Sequence, residues 1–211
     1  MKNKSTKVEL VDILGGNSSA AYEELNAGFL KNRVIFFNQD IDDRLIEDVI
    51  EWIIQWNTED LVIPKKNRTP ITLFINSYGG SVYSANVLID VIRASETPVR
   101  VIGLGFVASS AYLVYLAANE RYCFKNTIFL QHDGQIGVES TTAKARDTVD
   151  FYGSMEDRIK DYIIGSTNMD ESVYDSNYSR EMYMYADKAK ELGIVHKIIG
   201  EDIALKQVLK G

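Results

Sequence analysis

Short, continuous apolar runs alternate with helical patterns along most of this 211-residue chain. The runs lack the apolar–polar alternation of a half-exposed strand, so each predicts a strand that is buried on both faces. Helical patterns separate several of the runs, and the connections between them are short. This order predicts right-handed βαβ units and therefore an α/β fold with a largely parallel sheet. The predicted strands are residues 33–37, 71–75, 99–104, 122–124, 128–131 and 194–199.

The predicted helices differ in where their apolar residues lie. Residues 45–57 and 81–94 carry the apolar stripe of an amphipathic helix. Residues 109–118 are apolar on nearly all sides, which predicts a buried helix. Residues 141–161 are polar on most sides, so we expect this helix to project as an arm or to pack against another subunit.

Composition excludes several classes of protein. A net charge of −7 without a Lys/Arg run argues against nucleic-acid binding, and no apolar stretch predicts a membrane span or a secretory signal. One cysteine is compatible with a reducing compartment, so we predict a cytoplasmic protein. Two histidines and one cysteine make a zinc site improbable, and we predict no metal or other cofactor. We predict an N-terminal segment over residues 1–25 and a single domain over residues 26–211.

Three predicted strands end in residues suited to acyl transfer. Gly79 and Gly80 follow one strand, Ser109 follows the next, and His132 follows a third. In open α/β sheets, ligands bind at the carboxyl ends of the strands. Ser109 can act as a nucleophile at the start of a helix, while the amides of Gly80 and Ser110 can form an oxyanion hole. Each such donor stabilises a transition state by about 3–4 kcal/mol.

Each of these segments alone also fits a simpler structure. The Gly-Gly segment fits a plain turn, the serine pair fits a helix N-cap, and His132 fits a structural histidine. Together, their order and spacing resemble the ClpP family, the proteolytic subunits of the ATP-dependent Clp protease (peptidase family S14). Residues 75–80, Ile-Asn-Ser-Tyr-Gly-Gly, resemble the family motif Ile-Asn-Ser-Pro-Gly-Gly. Residues 105–109 resemble its Gly-x-Ala-Ala-Ser turn, and residues 129–132 and 186–196 resemble its later segments.

The resemblance covers about residues 33–199 and implies a serine endopeptidase that degrades unfolded polypeptides. It implies a spiral of βαβ units, shared with the crotonases, and a projecting handle over about residues 138–170. It also implies stacked heptameric rings that enclose a chamber. An AAA+ unfoldase is implied as the partner, docking on apolar clefts and on the N-terminal segment.

By position, the resemblance implies Ser109 as the nucleophile, His132 as the general base, and Gly80 and Ser110 as the oxyanion donors. Ser110 is the rival nucleophile because it is adjacent. The family has an aspartate where this chain has Glu181, twelve residues before Gly193. A glutamate can orient a histidine. The alternatives are Asp175 in this role, or a Ser–His dyad in which Glu181 is only a surface residue.

Two further departures from the family are Tyr78 and Gly134, each of which replaces a proline. Both loosen the surroundings of the substrate and allow an inactive resting arrangement. They leave a catalytically weak or inactive ring subunit, paired with an active paralogue, as one alternative. A crotonase-type acyl-CoA enzyme is a second alternative. A relative of prohead or signal-peptide peptidases is a third, although the sequence lacks the membrane segment of the latter.

Overall fold

The computed structural model describes residues 18–209, with side chains from residue 21 onwards. Residues 1–17 of the predicted N-terminal segment lie outside this range. The first helix, α1 (Ser18–Lys31), continues across the boundary that we predict after residue 25. That boundary therefore has no counterpart in the secondary structure, and the division into segment and domain stays a prediction.

In the described residues, seven strands form one sheet. Strands β1, β2, β3, β4 and β7 are neighbours in that order, while β5 pairs with β3 and β6 pairs with β5. All pairs are parallel except β5–β6, which confirms the predicted α/β fold with its largely parallel sheet. The bounds are β1 Val34–Asn38, β2 Ile71–Ser77, β3 Val99–Ala108, β4 Glu120–Phe124, β5 Ile128–Gln131, β6 Met182–Tyr185 and β7 Lys197–Ile199.

The last strand is shorter than predicted, since β7 begins only at Lys197. Gly193 has a φ of +69° and turns the chain at the end of a helix. The amides of Ile194 and Val195 then donate to the carbonyl of Ala189 instead of joining the sheet. The side chains of Ile194 and Val195 are nevertheless buried. Residues 194–199 therefore have the continuous apolar pattern of a buried strand, although only the last three belong to β7.

The helices differ widely in how much of their surface they bury. All seven residues of helix α4 (Ser110–Leu116) are buried, as predicted, whereas helix α5 (Thr142–Ser166) buries only Ile163 and exposes Val149 and Phe151. No helix in the described part of the chain is long and apolar enough to cross a membrane. The bounds are α2 Glu51–Glu59 after a π-helical turn Ile46–Ile50, α3 Val82–Ala94, α4 Ser110–Leu116, α5 Thr142–Ser166, α6 Glu171–Asn177, α7 Ala186–Glu191 and α8 Leu205–Val208; Asp60–Val62 and Lys65–Asn67 form 3₁₀ turns.

Strand β3 changes its partner halfway along its length. Its first half pairs with β4 and its last three residues pair with β5. Between them, Gly105 has a φ of +47°, and a Cβ there would lie 2.7 Å from Oδ1 of Asn76. That oxygen accepts a hydrogen bond from the amide of Phe106 at 2.9 Å. Only glycine fits this bend, which directs the end of β3 towards β5.

Candidate active site

Ser109 occupies a sharp turn between β3 and α4. Its backbone has φ 54° and ψ −127°, a conformation that costs a residue with a side chain about 1–3 kcal/mol. Its amide donates to the carbonyl of Leu130 in β5 at 3.0 Å, which holds the turn against that strand. Its hydroxyl makes no hydrogen bond to another described residue, and it lies at the positive end of α4.

The Gly79–Gly80 segment packs directly against this turn. A Cβ on Gly79 would lie 2.7 Å from Cβ of Ser109 and 3.1 Å from the amide nitrogen of Ser110. Ile41 fixes the segment from the other side, since its amide donates to the carbonyl of Gly79 at 2.8 Å. Within the described residues, the amides of Gly80 and Ser110 have no acceptor, so both are free to bind an anionic oxygen.

His132 follows β5 and lies beside Ser109. Both residues line the same cavity, although no hydrogen bond joins their side chains in the described structure. Catalytic hydrogen bonds are often long in unliganded sites and tighten when substrate binds. The pairing of β3 with β5 thus brings the hydroxyl and the imidazole to one place.

The backbone of Glu181 lies opposite that of His132 across two paired strands, but no hydrogen bond joins their side chains in the described structure. Gln131 pairs with Met182 in the antiparallel β5–β6 ladder, so His132 and Glu181 are the next opposing positions and share a face. The Glu181 carboxylate is exposed and accepts a hydrogen bond from the hydroxyl of Tyr183 at 2.7 Å, which raises the pKa of Tyr183.

Asp175, the alternative to Glu181, is also engaged elsewhere. Its carboxylate accepts a hydrogen bond from Lys160 at 2.7 Å. Neither carboxylate lines the cavity. The structure therefore brings together Ser109, His132 and the Gly79–Gly80 segment, and it leaves the third member of a triad unconnected.

The two residues that replace family prolines lie at the edges of the site. Tyr78 is exposed, and its ring centroid is 5.1 Å from that of Phe106. Gly134 lines the cavity, two residues after His132.

Sequence reasoning missed the far wall of the cavity, which Glu156, Ile159 and Ile163 of α5 form together with Tyr174 and Tyr178. The three α5 residues have the i, i+3, i+7 spacing of one helix face, a signal that was present in the sequence. Nothing in the described residues groups three His, Cys, Asp or Glu side chains around a point where they could hold a metal ion.

A free hydroxyl on a strained turn, an imidazole in the same cavity and two unpaired amides define the class of serine hydrolases. The Clp protease family model matches residues 17–202. Proteolytic subunit 2 of the ATP-dependent Clp protease of Pseudomonas aeruginosa is 29% identical, covering 92% of this chain and 94% of its own. The corresponding subunit of Paracoccus denitrificans is 29% identical over 66% of this chain and 71% of its own.

A solved structure agrees with these sequence matches. A point mutant of ClpP1 from Listeria monocytogenes has a TM-score of 0.72 at 27% identity, covering 83% of this chain and 95% of that one. The chain belongs to the Clp protease family and is a serine endopeptidase of that family. These findings do not favour an inactive ring subunit or a crotonase-type acyl-CoA enzyme.

Proposed function

We propose that Ser109 is the nucleophile of this peptidase. Its hydroxyl attacks the carbonyl carbon of a peptide bond while Nε2 of His132 accepts the proton. The oxygen of the tetrahedral intermediate binds the amides of Gly80 and Ser110. The intermediate then collapses, His132 returns the proton to the departing amine, and the acyl group remains on Ser109.

Water releases the acyl group by the same route in reverse. His132 removes a proton from the water, the two amides bind the oxyanion again, and Ser109 recovers its proton. We assign to Glu181 the task of orienting His132 and stabilising its charged form. For this, the Glu181 side chain must turn from Tyr183 towards His132 when substrate binds.

The observation that carries this proposal is the contact between the two glycines and the serine turn. Gly79 lies so close to Ser109 and Ser110 that no side chain fits between them. A peptide carbonyl beside Ser109 would therefore reach the amides of Gly80 and Ser110 together.

We further propose that the protein works in the cytoplasm as two stacked heptameric rings. Membership in the family implies a ring assembly with Clp ATPases, and an AAA+ unfoldase would feed unfolded polypeptides into the chamber. The polar helix α5 would interleave the two rings, and its exposed Val149 and Phe151 would be covered there. Sedimentation velocity should then give a particle of about fourteen 23.8-kDa chains.

A fluorophosphonate that reacts with activated serines tests the catalytic assignment. Wild-type protein and the Ser110→Ala variant should be labelled, and the Ser109→Ala variant should not. Peptide mapping by mass spectrometry should find the adduct on Ser109. An adduct on Ser110 that persists in the Ser109→Ala variant would overturn the assignment of the nucleophile.

A further inference from the structure

Two neighbours on one face of the sheet flank the Glu181 carboxylate. His132 is the next opposing position after the Gln131–Met182 pair of the β5–β6 ladder, and directly opposed residues have Cβ atoms about 4.5–5.5 Å apart. Tyr183 is two residues further along the chain than Glu181, and side chains two apart in an extended segment point to the same face. The carboxylate therefore lies between an imidazole across the ladder and a phenol along its own segment.

In the structure, Glu181 binds the phenol. The hydroxyl of Tyr183 donates to Oε2 of Glu181 at 2.7 Å. This hydrogen bond raises the pKa of Tyr183, so the phenol stays protonated and remains a donor at neutral pH. No side-chain nitrogen of a described His, Lys or Arg lies within 4.0 Å of the carboxylate. The unliganded site thus gives the proposed triad acid a neutral donor and leaves His132 unpaired with it.

Aromatic packing holds the Tyr183 ring in this place. Its centroid is 6.4 Å from that of Phe106 in β3, and the Phe106 centroid is 5.1 Å from that of Tyr78. Ring pairs at these separations attract each other. Tyr183 is 57% exposed and the Glu181 carboxylate is exposed as well, so their hydrogen bond pairs no buried group. Its loss should therefore leave the stability of the fold almost unchanged.

We propose that Tyr183 is a positioning residue whose hydroxyl holds the Glu181 carboxylate away from His132 until substrate binds. The proposal rests on the function proposed for Glu181, which is to orient His132. When only part of a protein population is in the competent arrangement, its apparent affinity for substrate falls by that fraction. Removal of the hydroxyl should therefore make the peptidase faster at low substrate concentration, whereas damage to the fold would make it slower.

The Tyr183→Phe variant tests the proposal, because it keeps the ring and its packing on Phe106 and removes only the hydroxyl. We expect kcat/KM for a fluorogenic peptide to rise about threefold to tenfold. The gain should come from a lower KM at nearly constant kcat, because bound substrate has already released the carboxylate in the wild-type protein. Labelling of Ser109 by the fluorophosphonate at low reagent concentration should accelerate by a similar factor.

Tyr185→Phe is the matched control on the same strand. Tyr185 is 60% exposed and shares the face of Tyr183, and its hydroxyl makes no hydrogen bond to another residue in the described part of the chain. This variant should keep the wild-type kcat and KM. An equal gain in both variants would assign the effect to the loss of any phenol from this strand and would contradict the proposal.

A double variant shows whether Tyr183 acts through Glu181. In the Glu181→Gln background the charged carboxylate is gone, so adding Tyr183→Phe should leave the rate of Ser109 labelling unchanged. The same acceleration in this background would mean that the hydroxyl acts on another group, and the proposal would be wrong. An unchanged or lower kcat/KM in the single Tyr183→Phe variant, or a gain confined to kcat, would also reject it.

The same variants separate failure of this proposal from failure of the proposed function. If the fluorophosphonate labels Ser109 and Glu181→Gln abolishes turnover, but Tyr183→Phe gives no gain, only the role of Tyr183 is rejected. If Ser109 is not labelled in the wild-type protein, or if Glu181→Gln turns over substrate normally, the proposed function of that residue fails and this inference fails with it.

Discussion

Two clusters of buried polar groups in this protein are built in opposite ways. Around Asp60, which is fully buried, both carboxylate oxygens are paired: Arg33 donates to them at 2.6 and 2.8 Å, and the hydroxyl of Thr97 donates at 2.7 Å. Beside Ser109, the hydroxyls of Ser110 and Tyr112 and the amide oxygen of Gln131 have no described partner.

The difference separates stability from function. A buried ionic group with all its hydrogen bonds made holds neighbouring elements in one arrangement, and losing one partner strands the other. The unpartnered atoms beside Ser109 hold no neighbouring element in this way, so replacing them removes no hydrogen bond within the described residues. We therefore expect changes near Ser109 to alter activity far more than stability, and changes near Asp60 to do the reverse.

The largest effect should come from Glu181→Gln, which keeps the shape of the side chain and removes its charge. If Glu181 orients His132, turnover of a peptide should fall by about 10⁴-fold, as in the serine-protease case where the triad acid was neutralised. Because the carboxylate is exposed, the free energy of unfolding should not change. Steady-state kinetics and urea unfolding on the same preparation measure both quantities.

Asp175→Asn is the matched control for this change. Asp175 pairs with Lys160 in the structure, so its neutralisation should leave turnover within a few-fold of wild type. If Asp175→Asn lowers turnover and Glu181→Gln does not, the acid of the triad is Asp175. If neither variant does so, the site is a Ser–His dyad.

Asp60→Asn should lower stability and leave activity unchanged, which is the opposite of the result expected for Glu181→Gln. It leaves the guanidinium of Arg33, whose side chain is 14% exposed, without its buried charged partner, and such a loss destabilises proteins by about 3–5 kcal/mol. Activity per folded molecule should be unchanged, because Asp60 is not part of the site. Glu59→Gln is the control: Glu59 is 3.7 Å from Arg33 and half-exposed, so its removal should cost less than about 1 kcal/mol.

The same ion pair predicts a dependence of stability on acid. The hydrogen bond from Arg33 lowers the pKa of Asp60 below its usual value, so folding favours the charged carboxylate. Its contribution is complete above the unfolded-state pKa of about 4 and is lost as the pH falls through the lower, folded-state pKa. Urea titrations at pH 7 and in steps below pH 4 should show a loss that the Asp60→Asn variant lacks; parallel curves would contradict the assignment.

The sequence predicts those parts of the fold and of the site that depend on residues close together in the chain. The β2–α3–β3–α4 order and the residues Gly80, Ser109 and His132 follow from neighbouring runs and short motifs. Strand β6 was missed because its four residues, Met182–Tyr185, need β5 to become a strand. The cavity wall was missed because α5 and α6 meet α4 only in the tertiary structure.

The smallest effects are expected from two tyrosines on one helix, Tyr112 and Tyr115, both fully buried in α4. The hydroxyl of Tyr115 donates to the carbonyl of Tyr122 at 2.9 Å, whereas that of Tyr112 has no described partner. Tyr115→Phe should therefore destabilise the protein by about 1 kcal/mol, and Tyr112→Phe should be neutral or stabilising. Urea unfolding of the two variants measures this difference. A reversed order in stability, with Tyr112→Phe the more costly change, would show that the Tyr112 hydroxyl is paired within the fold.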